Sequence, residues 1–116
     1  MSYQVLKSGS IVVGQSQSNA IGLNEMTAVG ITTGSNVTAS TLTVLVSADG
    51  VTFSPLYKDD STEFSLTTTS GSPRSYNLPV AQMFPWNFLK IRGGTSASAV
   101  LQATVDTLFT VNCKMI

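Results

Sequence analysis

Histidine is absent from this 116-residue sequence, and cysteine occurs once, at Cys113. The two shortages exclude a Ser-His-Asp triad, a His-ligated metal site, a cysteine cluster for zinc or iron–sulfur and an internal disulfide. Charge is also scarce, because six basic and six acidic residues cancel, and this pattern leaves no electrostatic footprint for nucleic acid. No apolar run reaches the ~20 residues of a membrane span, and none resembles a signal peptide. We therefore expect no cofactor, no nucleic acid partner, no membrane partner and no secretion.

Hydroxyl side chains are what the sequence has in abundance. Serine and threonine together supply 31 of the 116 residues, while 42% of the residues are hydrophobic. This balance favours a folded chain over a disordered one, and the length favours a single domain over residues 1–116, with an N-terminal arm over residues 1–10 as a further expectation. Threonine suits exposed strand faces and serine suits turns, so the surplus itself points to β structure.

Alternating apolar residues predict strands from one end of the chain to the other. The clearest runs are residues 27–33, 41–48, 51–57, 63–68, 74–78, 86–92 and 101–112, and Gly, Ser or Pro separates them. One helical turn is expected between Pro79 and Pro85, since proline is tolerated at a helix start and stops a helix that reaches it. About eight short strands with one turn of helix predict an all-β, jelly-roll-like antiparallel β-sandwich.

The strongest local signal is the Asp49-Gly50 pair between two β-rich runs. Both central residues of a type I′ turn need positive φ, which Asp-Gly tolerates, and the twist of this turn matches that of the flanking strands. The pair therefore predicts a tight hairpin that joins residues 41–48 to residues 51–57.

The run 86–92 has two unlike faces. Leu89 and Ile91 are expected to face the core, so the alternate residues of the run form a row on the other face. Such a row suits a protein interface, because aromatic residues and arginine are enriched at interfaces. The alternative is that the tryptophan closes the end of the sandwich and only the two cations are solvated. The row consists of Trp86, Phe88, Lys90 and Arg92.

A single cluster of carboxylates, Asp59, Asp60 and Glu63, could coordinate calcium or serve as an acid/base pair. Its spacing matches no known calcium loop, and a solvated turn explains it as well. No catalytic or metal site is therefore assigned, and we expect the chain not to be an enzyme.

Two segments resemble known families. Residues 42–53 (LTVLVSADGVTF) and 88–92 (FLKIR) resemble the strand, Ser-x-Asp-Gly turn and later aromatic strand of discoidin-like jelly rolls. Residues 40–112, with SADG, FSPLY and FLKIRGGTSASAVLQA, are also similar to small structural proteins of tailed bacteriophages. The second resemblance implies a capsid decoration (cement) protein that binds the outer surface of the head and bridges capsid subunits.

The leading hypothesis is therefore a non-enzymatic virion protein on the capsid exterior, made in the host cytoplasm. Its expected partners are the major capsid protein and further copies of itself, as a dimer or trimer. The second hypothesis is a carbohydrate-binding or tail- or fibre-associated module, in which Tyr57, Tyr76 and Trp86 would stack on sugars.

Overall fold

Two antiparallel sheets packed face to face make up the protein. The structure, a computed structural model, describes residues 4–69 and 71–115. The first sheet has the strand order β1-β9-β3-β7, and the second has the order β2-β8-β4-β5, with β6 also paired to β4. The elements are β1 (Gln4–Ile11), β2 (Ile21–Gly22), β3 (Thr27–Thr33), β4 (Thr41–Ser47), β5 (Ser54–Pro55), β6 (Ser65–Thr67), β7 (Arg74–Asn77), α1 (Val80–Met83), β8 (Phe88–Gly93) and β9 (Thr107–Lys114).

The predicted all-β sandwich is confirmed, as is the single helical turn, which begins after Pro79 and ends before Pro85. The sandwich measures 40 × 30 × 25 Å. No helix within residues 4–69 and 71–115 is long and apolar enough to cross a membrane.

The core lies between the sheets and follows the period of two in the sequence. On β4, Leu42, Val44 and Val46 are buried, and the antiparallel partner strand β8 buries Leu89 and Ile91 beside them. The predicted inward positions on these two strands are therefore confirmed.

A β-bulge in β3 changes which residues face the core. Ala28 pairs with Cys113 and Gly30 pairs with Asn112, so Val29 is an extra residue on the bulged strand. As a result Ala28 and Ile31 are both buried, whereas Val29 is half-buried. The alternation of the sequence places Val29 and Ile31 on one face of the strand, and the inserted residue shifts that alternation by one.

The ends of the chain belong to the first sheet. Gln4 to Ser10, the described part of the expected N-terminal arm, lie in β1 and pair in continuous register with β9; residues 1–3 lie outside the described residues. The long C-terminal strand begins at Thr107, not at residue 101. Val105, which is in step with Phe109 and Val111 in the sequence, is consequently exposed in the preceding loop.

The Asp49-Gly50 segment forms a wider loop than a type I′ turn. Val46 pairs with Ser54, so six residues, 48–53, connect β4 to β5. Only Gly50 of the central pair has positive φ, at 79°. The carboxylate of Asp49 accepts hydrogen bonds from the amides of Val51 and Thr52, at 2.8 and 2.9 Å. The hairpin exists, but side-chain hydrogen bonds rather than a two-residue turn determine its shape.

We expect the Asp49 carboxyl group to titrate far below the usual aspartate range. The amides of Thr52 and Val51, and then the hydroxyl group of Ser47, lower its pKa from 3.8 to about 2 by donating to the charged form. Because the folded-state pKa is depressed, the contribution of Asp49 to stability is fully present above pH 3.8 and is lost as the pH falls through about 2. The check is an NMR titration of the carboxyl carbon. Ser47→Ala should raise the midpoint, whereas a wild-type midpoint near 3.8 would contradict the assignment.

Candidate functional site

The predicted interface row is covered by neighbouring segments. Phe88, Lys90 and Arg92 point away from the core as expected, but each is half-buried or buried. The Lys90 ammonium lies 4.6 Å from the centre of the Phe53 ring, a cation–π distance. Trp86 packs against the core at the end of the sandwich, as the alternative interpretation expected.

Arg92 is the clearest correction within that row, because only 7% of it is exposed. Its Nη2 donates to the Glu63 carboxylate and its Nε donates to the Thr43 hydroxyl group, at 3.0 Å. A buried guanidinium needs such a partner, since an unpaired charge inside a protein is costly. Arg92 is thus a structural residue beneath the surface, and the alternative interpretation, in which it is a solvated cation, does not hold for it.

The other oxygen of the Glu63 carboxylate fixes a nearby loop. It accepts hydrogen bonds from both the amide and the hydroxyl group of Ser96, each at 3.1 Å. The Thr43 hydroxyl group donates in turn to the carbonyl oxygen of Gly94, at 2.9 Å. The network therefore ties the 94–99 loop to the outer face of the second sheet.

The carboxylate cluster of the sequence is divided by this arrangement. Glu63 is committed to Arg92, while Asp60 accepts hydrogen bonds from the amide and hydroxyl groups of Thr62, at 3.0 and 2.6 Å. These two bonds, chiefly the one from the hydroxyl group, lower the pKa of Asp60. Among the described residues, no group of three or more His, Cys, Asp or Glu side chains is placed to hold a metal ion.

The aromatic residues that a sugar site would need lie in different parts of the fold. Tyr57 follows β5 beside the second sheet, with its hydroxyl group 3.5 Å from that of Ser96. Tyr76 is on β7 of the first sheet and donates to the carbonyl oxygen of Thr67. Trp86 precedes β8 and packs against the core. The three therefore do not form a stacking platform.

A group of exposed aliphatic residues gathers where β1 ends and β9 begins. Sequence reasoning did not identify this group, which we call the end patch. Residues 12–15 run beside residues 102–106, because the Gly14 amide donates to the Gln102 carbonyl and the Gln102 amide donates to the Gln15 carbonyl, both at 2.9 Å. The end patch consists of Val12, Val13, Leu101, Val105 and Leu108.

A buried glutamine holds the end patch in shape. The Gln102 Nε2 donates to the carbonyl oxygens of Asn36 and Val105, at 2.7 and 2.9 Å, and its Oε1 accepts from the Thr38 amide at 3.1 Å. Gln102 is the glutamine noted in the phage-like segment SASAVLQA, and its role here is to join two loops. The patch is therefore part of a bonded framework.

The end patch carries little charge. Asp106 is the one charged residue in the stretches 11–15 and 101–108, and its carboxylate already accepts from the Val13 amide at 2.9 Å. Burying exposed aliphatic surface yields about 25 cal/mol per Å². The arrangement suits adhesion to another apolar protein surface.

A row of hydroxyl groups adjoins the end patch on the outer face of the first sheet. Ser8, Thr110, Thr32 and Ser75 stand in register across its four strands, and the hydroxyl groups of Thr32 and Ser75 lie 2.8 Å apart. An open depression of about 370 Å³ beside Leu108 is lined by part of this row. The face is flat, uncharged along the row and able to both donate and accept hydrogen bonds.

The sequence held a weak signal for the end patch. Val12-Val13 stands directly before Gly14 and outside an alternating run, whereas Leu101 and Val105 continue the period of the strand that follows and give no sign of exposure. Apolar residues outside a periodic run are candidates for exposure, but tertiary contacts decide whether they meet.

Comparison with solved structures places this geometry in a known fold. No protein-family model matches the sequence, and no curated protein matches it either. The SPBc2 prophage-derived protein YomS superposes with a TM-score of 0.59 over 98% of this chain and 95% of that one, at 7% sequence identity. This similarity shows the fold.

Two further β structures superpose less closely. A Bacillus endospore appendage protein matches with a TM-score of 0.44 at 12% identity, over 100% of this chain and 90% of that one. The module CBM32-1 from a Clostridium perfringens family 31 glycoside hydrolase gives 0.44 at 13% identity, over 96% and 75%. The neighbours thus include a prophage-derived protein and a carbohydrate-binding β-sandwich.

Proposed function

We propose that the chain is a non-enzymatic structural protein of a tailed-phage virion, specifically a capsid decoration protein. In this role it binds the outer surface of the head through the end patch and bridges neighbouring subunits of the major capsid protein. The observation that carries the proposal is the end patch itself, five exposed aliphatic residues around one hydrogen-bonded carboxylate. Exposed apolar groups of this kind mark interaction sites in β proteins.

Three further features support an adhesive role. The sequence contains no histidine, and among the described residues the carboxylates of Glu63 and Asp60 are hydrogen-bonded to structural partners, Arg92 and Thr62, which supports a binding role over acid/base chemistry. The hydroxyl row next to the patch extends the contact surface without adding charge, so copies on a shell repel one another little. The fold shared with a prophage-derived protein agrees with this setting.

Attachment to a repeating shell also explains how a small patch can suffice. A 12.2 kDa sandwich that touches two subunits converts its second contact into an intramolecular one, which raises the effective concentration to the millimolar range. Each contact can then be smaller than the roughly 800 Å² per partner of a standard interface.

The test is to measure how many copies co-sediment with particles. A lysate of the source is separated on a density gradient, and mass spectrometry counts the copies per particle. We expect tens to hundreds of copies on intact and emptied heads, and at least a tenfold lower count for Leu108→Glu, because a charge replaces a buried aliphatic contact. Val51→Glu is the matched control, since Val51 is 83% exposed in the 47–53 loop, outside the end patch.

The other results would overturn the decoration role. A few copies that separate with tails would indicate the tail- or fibre-associated alternative. Absence from particles, combined with a change in Trp86 fluorescence on addition of glycans, would indicate a carbohydrate-binding module. Equal loss for both variants would show that the end patch is not the contact.

A further inference from the structure

Among residues 4–69 and 71–115, one edge of the first sheet carries backbone groups without a hydrogen-bond partner. The Leu108 carbonyl accepts from Gly34 on the β3 side, and the Ser10 amide donates to the Asn19 side chain, at 2.9 and 3.0 Å. Ser10, opposite Leu108, is therefore not hydrogen-bonded to β9. In an antiparallel ladder the backbone groups of alternate residues point to the same side, so those of every even-numbered residue of β1 point away from β9. The amide and carbonyl groups of Gln4, Leu6 and Ser8 thus point outward from the sheet edge.

The other edges of the sandwich are protected against pairing. The opposite edge strand of the first sheet, β7, has four residues between Pro73 and Pro79. In the second sheet, β2 has two residues, β5 has two residues that include Pro55, and β6, which pairs with β4, has three residues. Short strands and proline are common protections of sheet edges. In contrast, β1 is eight residues long and contains no proline.

We propose that β1 pairs with the β1 strand of a second copy, about a two-fold axis at Leu6. The Ser10 amide already donates to the Asn19 side chain. Within the described residues the free segment is therefore 4–8, and the register that pairs all of its free groups is centred on Leu6. An antiparallel pairing about that centre sets Leu6 against Leu6 and Gln4 against Ser8 in the other copy, so every free donor and acceptor of the segment is used. A segment that completes itself under a two-fold rotation favours a copy of the same chain.

Charge also favours this register. The side chains of the segment on the outer face of the sheet are uncharged, so those of two copies do not repel one another. They are Gln4, Leu6 and Ser8. Lys7 points to the inner face, opposite Val111 on β9, and would oppose itself only in the register centred on Lys7, which like-charge contact penalises. In the Leu6 register it faces Val5 instead.

The result is a continuous sheet of eight strands, four from each copy. Leu6, which is 63% exposed in the isolated chain, gains an apolar neighbour at the axis. A paired segment of about five residues buries less than a standard interface, so we expect a dissociation constant of about 10 μM to 1 mM in solution. Dense packing on a shell would raise the occupancy of the pair.

Disulfide crosslinking of purified protein tests the register. At a hydrogen-bonded antiparallel pair the two Cα atoms lie about 5.5 Å apart, which a disulfide spans. Leu6→Cys should therefore form at least ten times more crosslinked dimer than Ser8→Cys under mild oxidation at about 200 μM protein. In the Leu6 register the two copies of residue 8 are roughly 13 Å apart along the strand. The native thiol of Cys113 is buried and does not compete.

A second variant removes the donor at the centre of the pair. Leu6→Pro deletes an amide that points away from β9, so the pairing of β1 with β9 should survive. In sedimentation analysis the concentration-dependent dimer, with a mass of twice 12.2 kDa, should disappear. Equal crosslinking of Leu6→Cys and Ser8→Cys would overturn the register. No crosslink, or a wild type that stays monomeric at 1 mM, would overturn the pairing itself.

The edge pairing and the decoration role can fail separately. Crosslinking uses pure protein without particles and changes residues in 4–8, whereas the particle assay changes the end patch. A negative result in one experiment therefore leaves the other proposal intact.

Discussion

Replacing Glu63 by alanine is expected to lower the free energy of unfolding by about 3 kcal/mol, because it leaves a buried guanidinium without its anion. The side chains of Arg92 and Glu63 are only 9% and 13% exposed, so water replaces little of the lost interaction. The variant also removes the acceptor of the Ser96 amide and hydroxyl group. Urea denaturation gives the change directly, and we expect the melting temperature to fall by roughly 10 °C.

Two companion variants isolate the cause. Asp59→Ala removes an exposed carboxylate from the same stretch of sequence and should change stability by less than ~0.5 kcal/mol. Glu63→Leu combined with Arg92→Met removes both charges, and most of the loss should be recovered, since apolar side chains of similar volume often replace buried ion pairs without cost. A loss below ~1 kcal/mol for Glu63→Ala would show that Arg92 finds water or another acceptor.

Gly94→Ala is expected to destabilise the protein by at least about 3 kcal/mol. Gly94 has φ of +84°, and a Cβ atom there would lie 2.3 Å from the Ser98 carbonyl oxygen and 2.8 Å from the Val100 nitrogen. The left-handed conformation costs a non-glycine residue roughly 1–2 kcal/mol, and forcing backbone apart in a packed site adds a further 1–3 kcal/mol or so.

Gly14 provides a control with the same backbone conformation. Its φ is +86°, but a Cβ atom there meets nothing within 4 Å, so Gly14→Ala should cost only the conformational penalty of about 1–2 kcal/mol. Urea denaturation of the two variants separates conformation from steric overlap. Equal losses would mean that the 94–99 loop moves aside without cost.

The sequence predicts best those strands in which every second side chain is buried in the core. The bounds of β3 agree with residues 27–33, and the apolar period of β4 is correct from Leu42 to Val46. The bulge at Val29 could not be predicted, because an inserted residue leaves no mark in composition and depends on the register of β9.

The candidate site was less predictable, since long-range partners decide exposure. Arg92 has the alternation of a surface residue, but Glu63 lies 29 positions away and buries it. Val105 has the period of the strand that follows, yet the hydrogen bond from Gln102 to its carbonyl group keeps it in a loop. No local rule brings residues 12–15 beside residues 102–106, because the hydrogen bonds between Gly14, Gln15 and Gln102 join loops from distant parts of the chain.

The burial of β4 on both faces has a consequence for how the molecule opens. Leu42, Val44 and Val46 lie in the core, while Thr43 and Ser47 on the other face are also buried, under the Arg92 network and the Asp49 loop. Exchange of the β4 amide protons with solvent therefore requires both coverings to separate, which approaches global unfolding. Four residues of the end patch lie in loops and Leu108 lies in β9 of the first sheet, so none of them belongs to β4 or to its two coverings. We therefore expect the surface proposed to bind and the strand that reports global stability to lie in different cooperative units.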